Sequence, residues 1–185
     1  VHHNKKESYL SLEYSSTLTF VNSGVSKIFP ETEIKKGSIS SPVGKAIMSA
    51  FGIDELLFCN VFNDYGKGTR HATGVNVSSK IDRNALKLFL STAIGSDYWM
   101  IHGMDGGKIW SWYMDPSKNN TMSTVSGPII IDYGGSSGTG KRVNISFSNS
   151  FFDFTVNIRN KQSGRYPSHI MCDYKSKPAT GKKLL

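Results

Sequence analysis

Residues 143–158 set the tightest limit on what this chain can fold into. Val143, Ile145 and Phe147 alternate with polar residues, and after a short break Phe152, Phe154, Val156 and Ile158 do the same. A side-chain period of two gives a strand one apolar face, whereas a helix would scatter those residues around its circumference. Two consecutive strands with one buried face each require a sheet that packs against something.

The rest of the chain supplies both partners and further strands. In YLSLEYSSTLTFV, residues 9–21, Leu10, Leu12 and Tyr14 share one face and then Leu18 and Phe20 share one, again with period two. Residues 22–40 are polar, with a proline and lysines, and read as a connecting loop. Ser41-Pro42 then opens a helix, with serine as the N-cap, proline at the first helical position and Gly52 as the stop. Its apolar stripe is Val43, Ile47, Ala50 and Phe51, and Gly44 weakens it by up to about 1 kcal/mol relative to alanine. The run LLFCNVF predicts a strand over 56–62, followed by the glycine-punctuated loop 63–74. Asp82 caps a second helix whose apolar face is Ala85, Leu86, Phe89, Leu90, Ala93 and Ile94, ending at Gly95. YWMIH and KIWSWYM flank the turn GMDGG and predict a hairpin over 98–114. Strands follow at 128–133 and, after Ser163–Pro167, at 168–175.

These elements predict an α+β fold of mostly antiparallel β structure, either sandwich-like or a single curved sheet, with two short helices inserted at about 41–51 and 82–94. Neither an internal repeat nor a splitting linker divides it, so 1–185 reads as one domain. A polar N-terminal extension (1–8) and a basic, flexible C-terminal tail (176–185) flank it. Hydrophobic residues at 38% and aromatics at 11% are enough for a real core. No apolar run approaches the roughly 18–20 residues of a membrane span. The chain opens Val1-His2-His3 with no methionine, so preceding residues are expected to have been removed, a signal peptide being one such segment.

Charge is unevenly placed. Arg159, Lys161, Arg165, Lys175, Lys177, Lys182 and Lys183 face one acid, Asp173, across the C-terminal segment, giving a net +6 of the chain's +8. Such a segment attracts nucleic acid, anionic glycans or lipid head groups through one long-range field. Arg159, Lys161, Arg165, Lys175 and Lys177 are the candidate polyanion contacts, and a solvated basic end is the competing reading. Cys59 and Cys172 each lie inside an apolar stretch, and neither belongs to a CxxC pair, which speaks against a zinc site. Their even number and a Ser/Thr/Asn-rich composition predict a disulfide between them and a secreted, periplasmic or cell-surface protein.

Gly135-Ser-Ser-Gly-Thr-Gly140-Lys141 has the spacing of a phosphate-binding loop. That loop needs a Ser or Thr after its lysine for magnesium, and it must open a helix whose N-terminus completes the anion site. Arg142 stands at that position, and RVNISFS is a strand pattern. The segment is therefore read as a Gly/Ser turn between antiparallel strands, with no nucleotide expected.

A second constellation is Asp153 followed by Asp173-Tyr174-Lys175. Metal-dependent nucleases place two carboxylates on magnesium and a lysine on the attacking water at such spacing. Few residues follow the lysine, and surface charge is the competing reading. His71, beside Arg70 in a loop, is a candidate general base, while His102 and His169 fall in strands. No nucleophile elbow or HExxH spacing occurs. Neither cofactor nor metal is expected.

The aromatic group Tyr98, Trp99, Trp110, Trp112 and Tyr113 puts all three tryptophans on one hairpin. Trp110 and Trp112 share one face, and Ile109 and Tyr113 the other. An amphipathic strand needs one apolar face and this one has two. The hairpin is thus core on both sides, or it offers rings to a ligand, with Asp105 and Lys108 at the rim, as sugar sites do. Trp99, Trp110, Trp112, Asp105 and Lys108 are the candidate ligand-binding residues. The function expected from sequence is an exported, disulfide-stabilised binding domain, such as an adhesin, receptor-binding module or secretion-apparatus component, for a glycan or protein partner. The alternative is a basic metal-dependent nuclease or nucleic-acid-binding protein using Asp153, Asp173 and Lys175.

Overall fold

A computed structural model describes residues 2–3, 6–7, 10–13, 19–94, 99–105, 108–113, 120, 123–138, 140–150, 152–160 and 164–176. In chain order these form β1 (His2–His3), β2 (Lys6–Glu7), β3 (Leu10–Glu13), β4 (Thr19–Gly24), α1 (Glu31–Lys36), α2 (Pro42–Phe51), α3 (Glu55–Asn63), β5 (Val75–Asn76), α4 (Arg83–Ile94), β6 (Trp99–Asp105), β7 (Lys108–Tyr113), β8 (Ser126–Tyr133), β9 (Arg142–Ser148), β10 (Phe152–Arg159) and β11 (His169–Ser176). The fold is α+β and mostly antiparallel, as the alternation implies. Its frame is a six-stranded antiparallel sheet ordered β4-β11-β10-β9-β8-β5. A three-stranded sheet, β3-β6-β7, holds the predicted hairpin, with β3 parallel to β6. β1 pairs with β2 within the polar N-terminal extension.

The register of the six-stranded sheet turns the sequence alternation into apolar rows that cross strands. Cys172, Val156, Ile145 and Ile131 form one row, and Ile170, Ile158, Val143 and Tyr133 the next. Tyr174, Phe154 and Phe147 begin a third, in which Phe147 and Phe154 stack at 5.2 Å between ring centres. All of these residues are buried and join one core with Phe29, Phe51, Phe58, Phe62, Leu86 and Leu90 from the helical side. Burying one large side chain of this kind contributes about 1.5–3 kcal/mol, so the rows fix both the register and the side on which the helices lie.

Helix α2 has the ends its sequence predicts: the Ser41 hydroxyl accepts from the Gly44 N–H, and Gly52 closes the helix in the left-handed region at φ 64°. In α4, Asp82 Oδ1 accepts from the N–H groups of Asn84 and Ala85. Two expectations are corrected. Residues 56–62 are not a strand but the body of α3, capped by Asp54, whose Oδ1 accepts from the Leu57 N–H at 2.9 Å. Phe58, Val61 and Phe62 lie at i, i+3 and i+4 and are all buried, so tertiary packing selects the helical period. The segment 22–40 is likewise more than a loop. It holds the end of β4 and the short helix α1, whose acids Glu31 and Glu33 lie in the first turn and whose Lys35 and Lys36 lie in the last. Among the described residues there are thus four helices, not two.

The disulfide expectation also changes. Cys59 and Cys172 are free, buried thiols. Cys59 belongs to the inward side of α3 and Cys172 to an apolar row of the sheet. Each fills core volume as a small apolar side chain does.

Candidate functional site

Alternation places the other half of the β8–β11 residues on the opposite face of the six-stranded sheet. Here the register gives rows of a different kind. Asp173 stands opposite Thr155, which stands opposite Ser146; Met171 opposite Asn157, then Asn144 and Asp132; and His169 opposite Arg159, then Arg142. At the far end Lys175 faces Asp153, which faces Ser148. None of these residues is aromatic. The face is therefore basic at one end, polar in the middle with Asp132 and Asp173 as its acids there, and mixed in charge at the other end.

The three residues of the nuclease reading do come together. Asp153 and Lys175 are direct register partners, and Asp173 lies two positions from Lys175 on the same strand and face. Direct partners have Cβ atoms about 4.5–5.5 Å apart and diagonal ones about 7–8 Å. The Asp173 carboxylate accepts from Asn157 Nδ2 at 3.4 Å. Among the described residues, no group of three His, Cys, Asp or Glu side chains is placed to hold a metal ion. The geometry thus supplies two carboxylates and a lysine on one face, with the two carboxylates at diagonal positions.

The polyanion set is divided by the fold. Arg159 is exposed at the basic end, and Lys175 is exposed at the opposite end of the same strand pair. Arg165 is tied to the helical layer, where its guanidinium donates from Nε to the Phe62 carbonyl at 3.0 Å and from Nη2 to the Asn63 carbonyl. It thereby closes the C-terminus of α3, where unpaired carbonyls and the helix dipole both favour a cation. Lys161 and Lys177 lie outside the described residues.

The sequence reading missed Arg142, which only the strand register pairs with Arg159. Both arginines are exposed, and neither is ion-paired among the described residues. His169 completes the row, its Nδ1 2.9 Å from Ser168 Oγ. Like charges directly opposite one another on a sheet are destabilising, so packing alone does not explain why two arginines stand there.

The glycine loop borders this basic end. Gly138, at φ 72°, approaches the backbone so closely that a Cβ would lie 2.8 Å from the His71 carbonyl oxygen. The His71 N–H in turn donates to the Gly138 carbonyl at 2.6 Å. The Gly134 N–H donates to the Arg142 carbonyl at 2.8 Å, and the chain runs directly into β9. The strand expected after Lys141 is present, and the Gly/Ser turn before it is docked on the 71–74 segment. Lys141 Nζ sits 5.1 Å from the ring centre of Tyr65. His71 gives its backbone N–H to this docking.

The tryptophan hairpin forms as predicted, with Trp99 opposite Tyr113, Met100 opposite Trp112 and His102 opposite Trp110. The side chains of Trp99, Asp105, Lys108, Trp110 and Trp112 lie outside the described residues.

Neither thiol has the surroundings of a nucleophile. Burial pushes Cys59 up to about 11, with the charges of Glu55 and Glu33 adding to the shift. Burial pushes Cys172 higher still, and Asp173 adds to it. Comparison with protein-family models, with curated proteins and with solved structures gave no match.

Proposed function

We propose that this chain is a binding domain that acts by recognition, and that it holds a polyanion at the basic end of the six-stranded sheet. The observation that carries this reading is the cross-strand row Arg142–Arg159–His169, in which two exposed arginines face each other and neither is ion-paired among the described residues. Arginine presents a planar fork of donors suited to phosphate and sulfate, and a pair on neighbouring strands can flank one such group. Lys141, next in sequence to Arg142, extends the positive field. The export expectation drew support from a disulfide, and the free thiols remove that support; polyanion recognition depends on neither. The tryptophan hairpin stays in this reading as a second contact for a sugar or peptide edge, tested by truncating Trp110 or Trp112.

The test is binding of fluorescently labelled polyphosphate as a function of salt. Arg142→Ala/Arg159→Ala should weaken binding by about tenfold or more and flatten its salt dependence, whereas Lys175→Ala should change little. Equal losses from both variants would show a diffuse field with no localised site. A second reading, that the protein cleaves what it holds, is favoured by the placement of Asp153, Asp173 and Lys175 on one face. Magnesium-dependent cleavage of DNA or RNA that disappears in Lys175→Ala would establish it.

A further inference from the structure

The arginine pair is half of a larger array. One step inward on the same face, Arg142 gives way to Asn144 and Arg159 to Asn157, and these two asparagines are themselves register partners. Four side chains therefore occupy a two-by-two patch, about 5 Å across the strands and about 7 Å along them. The two halves have opposite hydrogen-bonding character. Guanidinium groups only donate, while the Oδ1 atoms of Asn144 and Asn157 are buried acceptors with no hydrogen-bond partner among the described residues. Asn157 is only 6% exposed, and its Nδ2 is already directed to Asp173. Buried acceptors are almost always paired, so two neighbouring ones left unpaired among the described residues mark a place for donors that a ligand can bring. A bare oxyanion does not bring them, because its oxygens only accept.

We propose that this array binds a sulfated glycan, with the guanidinium groups on a sulfate and the two amide oxygens taking ring hydroxyls of the same sugar unit. This rests on the polyanion reading above and adds to it a demand for hydroxyl donors. For the sugar to reach the amides, the exposed arginine side chains, free of ion pairs among the described residues, would have to leave that space. Nucleic acid fits less well: single-stranded recognition relies on bases stacked on aromatic rings, and the β8–β11 positions in register on this face carry none.

The deciding experiment compares three probes on the unaltered protein: a chondroitin sulfate octasaccharide, inorganic polyphosphate of matched charge, and an oligouridylate of matched charge. The octasaccharide is expected to bind about tenfold more tightly than polyphosphate, the margin that a pair of net hydrogen bonds supplies. Asn144→Ala/Asn157→Ala should bring the octasaccharide down to the polyphosphate level and leave polyphosphate binding unchanged. Asn144→Asp, close in shape, should weaken both anions. Equal binding of octasaccharide and polyphosphate to the unaltered protein would overturn the inference and leave the polyanion reading standing. Oligouridylate binding as tight as the octasaccharide would overturn the choice of glycan. Binding of none of the three would overturn the polyanion reading itself. The comparison on the unaltered protein decides even where a variant fails to fold.

Discussion

A thiol reacts as its thiolate, and the surroundings of Cys59 and Cys172 oppose thiolate formation. Both side chains are fully buried, and the charges that act on them are those of carboxylates, Glu55 and Glu33 on Cys59 and Asp173 on Cys172. Both factors favour the neutral form. In the native protein at neutral pH, neither cysteine should react with a thiol reagent such as DTNB within minutes, and both should react once the chain is unfolded in guanidinium. One fast-reacting thiol in the native state would contradict the burial described. The same shifts have a sign for stability. Below the ordinary thiol range, about pH 8.5, folded and unfolded chains are both protonated and the contribution is fully present. Above it the unfolded chain loses its protons first, so stability falls as pH rises toward 11, the value to which Cys59 is raised. Denaturant unfolding at about pH 7.5 and about pH 9.5 should show a smaller loss for Cys59→Ala/Cys172→Ala than for the unaltered chain.

At the scale of elements, Gly44 shows where local propensity and packing part. Propensity alone says that Gly44→Ala should gain up to about 1 kcal/mol in α2. The structure says otherwise: a Cβ at Gly44 would lie 2.8 Å from Ile39 Cγ2, 3.1 Å from the Ile28 carbonyl oxygen and 3.3 Å from the Phe29 ring. Gly44→Ala should therefore destabilise the fold by about 1–3 kcal/mol, as overpacking does, and a rise in melting temperature would refute the close packing. Asp54→Ala should cost about 1 kcal/mol through loss of the α3 cap. This helix also marks the limit of what the sequence disclosed. The strands over 143–148 and 152–159, both capped helices and the hairpin were legible because period and end signals agreed. A run as short and apolar as LLFCNVF fits a strand or a buried helix equally well, and the decision came from Asp54 and the spacing of Phe58, Val61 and Phe62. Helix α1 escaped notice because its one buried residue, Ile34, makes no stripe. Its end signals were there to be seen: acids first, lysines last, then Gly37 in the left-handed region at φ 73°.

For the molecule as a whole, the site was only partly legible, because which cations meet depends on strand register and not on position in the chain. Arg142 and Lys175 lie almost equally far from Arg159 in the chain, yet Arg142 becomes its register partner and Lys175 ends up at the far end of the sheet. That register gives a test separating function from stability. In Arg159→Glu an acid would stand between Arg142 and His169, turning a like-charge row into an opposite-charge one. Cross-strand pairs of opposite charge contribute about 0.2–1 kcal/mol relative to uncharged ones, and like-charge pairs subtract similar amounts. The variant should therefore melt no lower than the unaltered protein, and higher at low salt, where screening is weakest. Its polyphosphate binding should nevertheless be lost. A residue kept for stability would show the reverse, a lower melting temperature with binding retained, and that result would remove the basic row from the recognition surface.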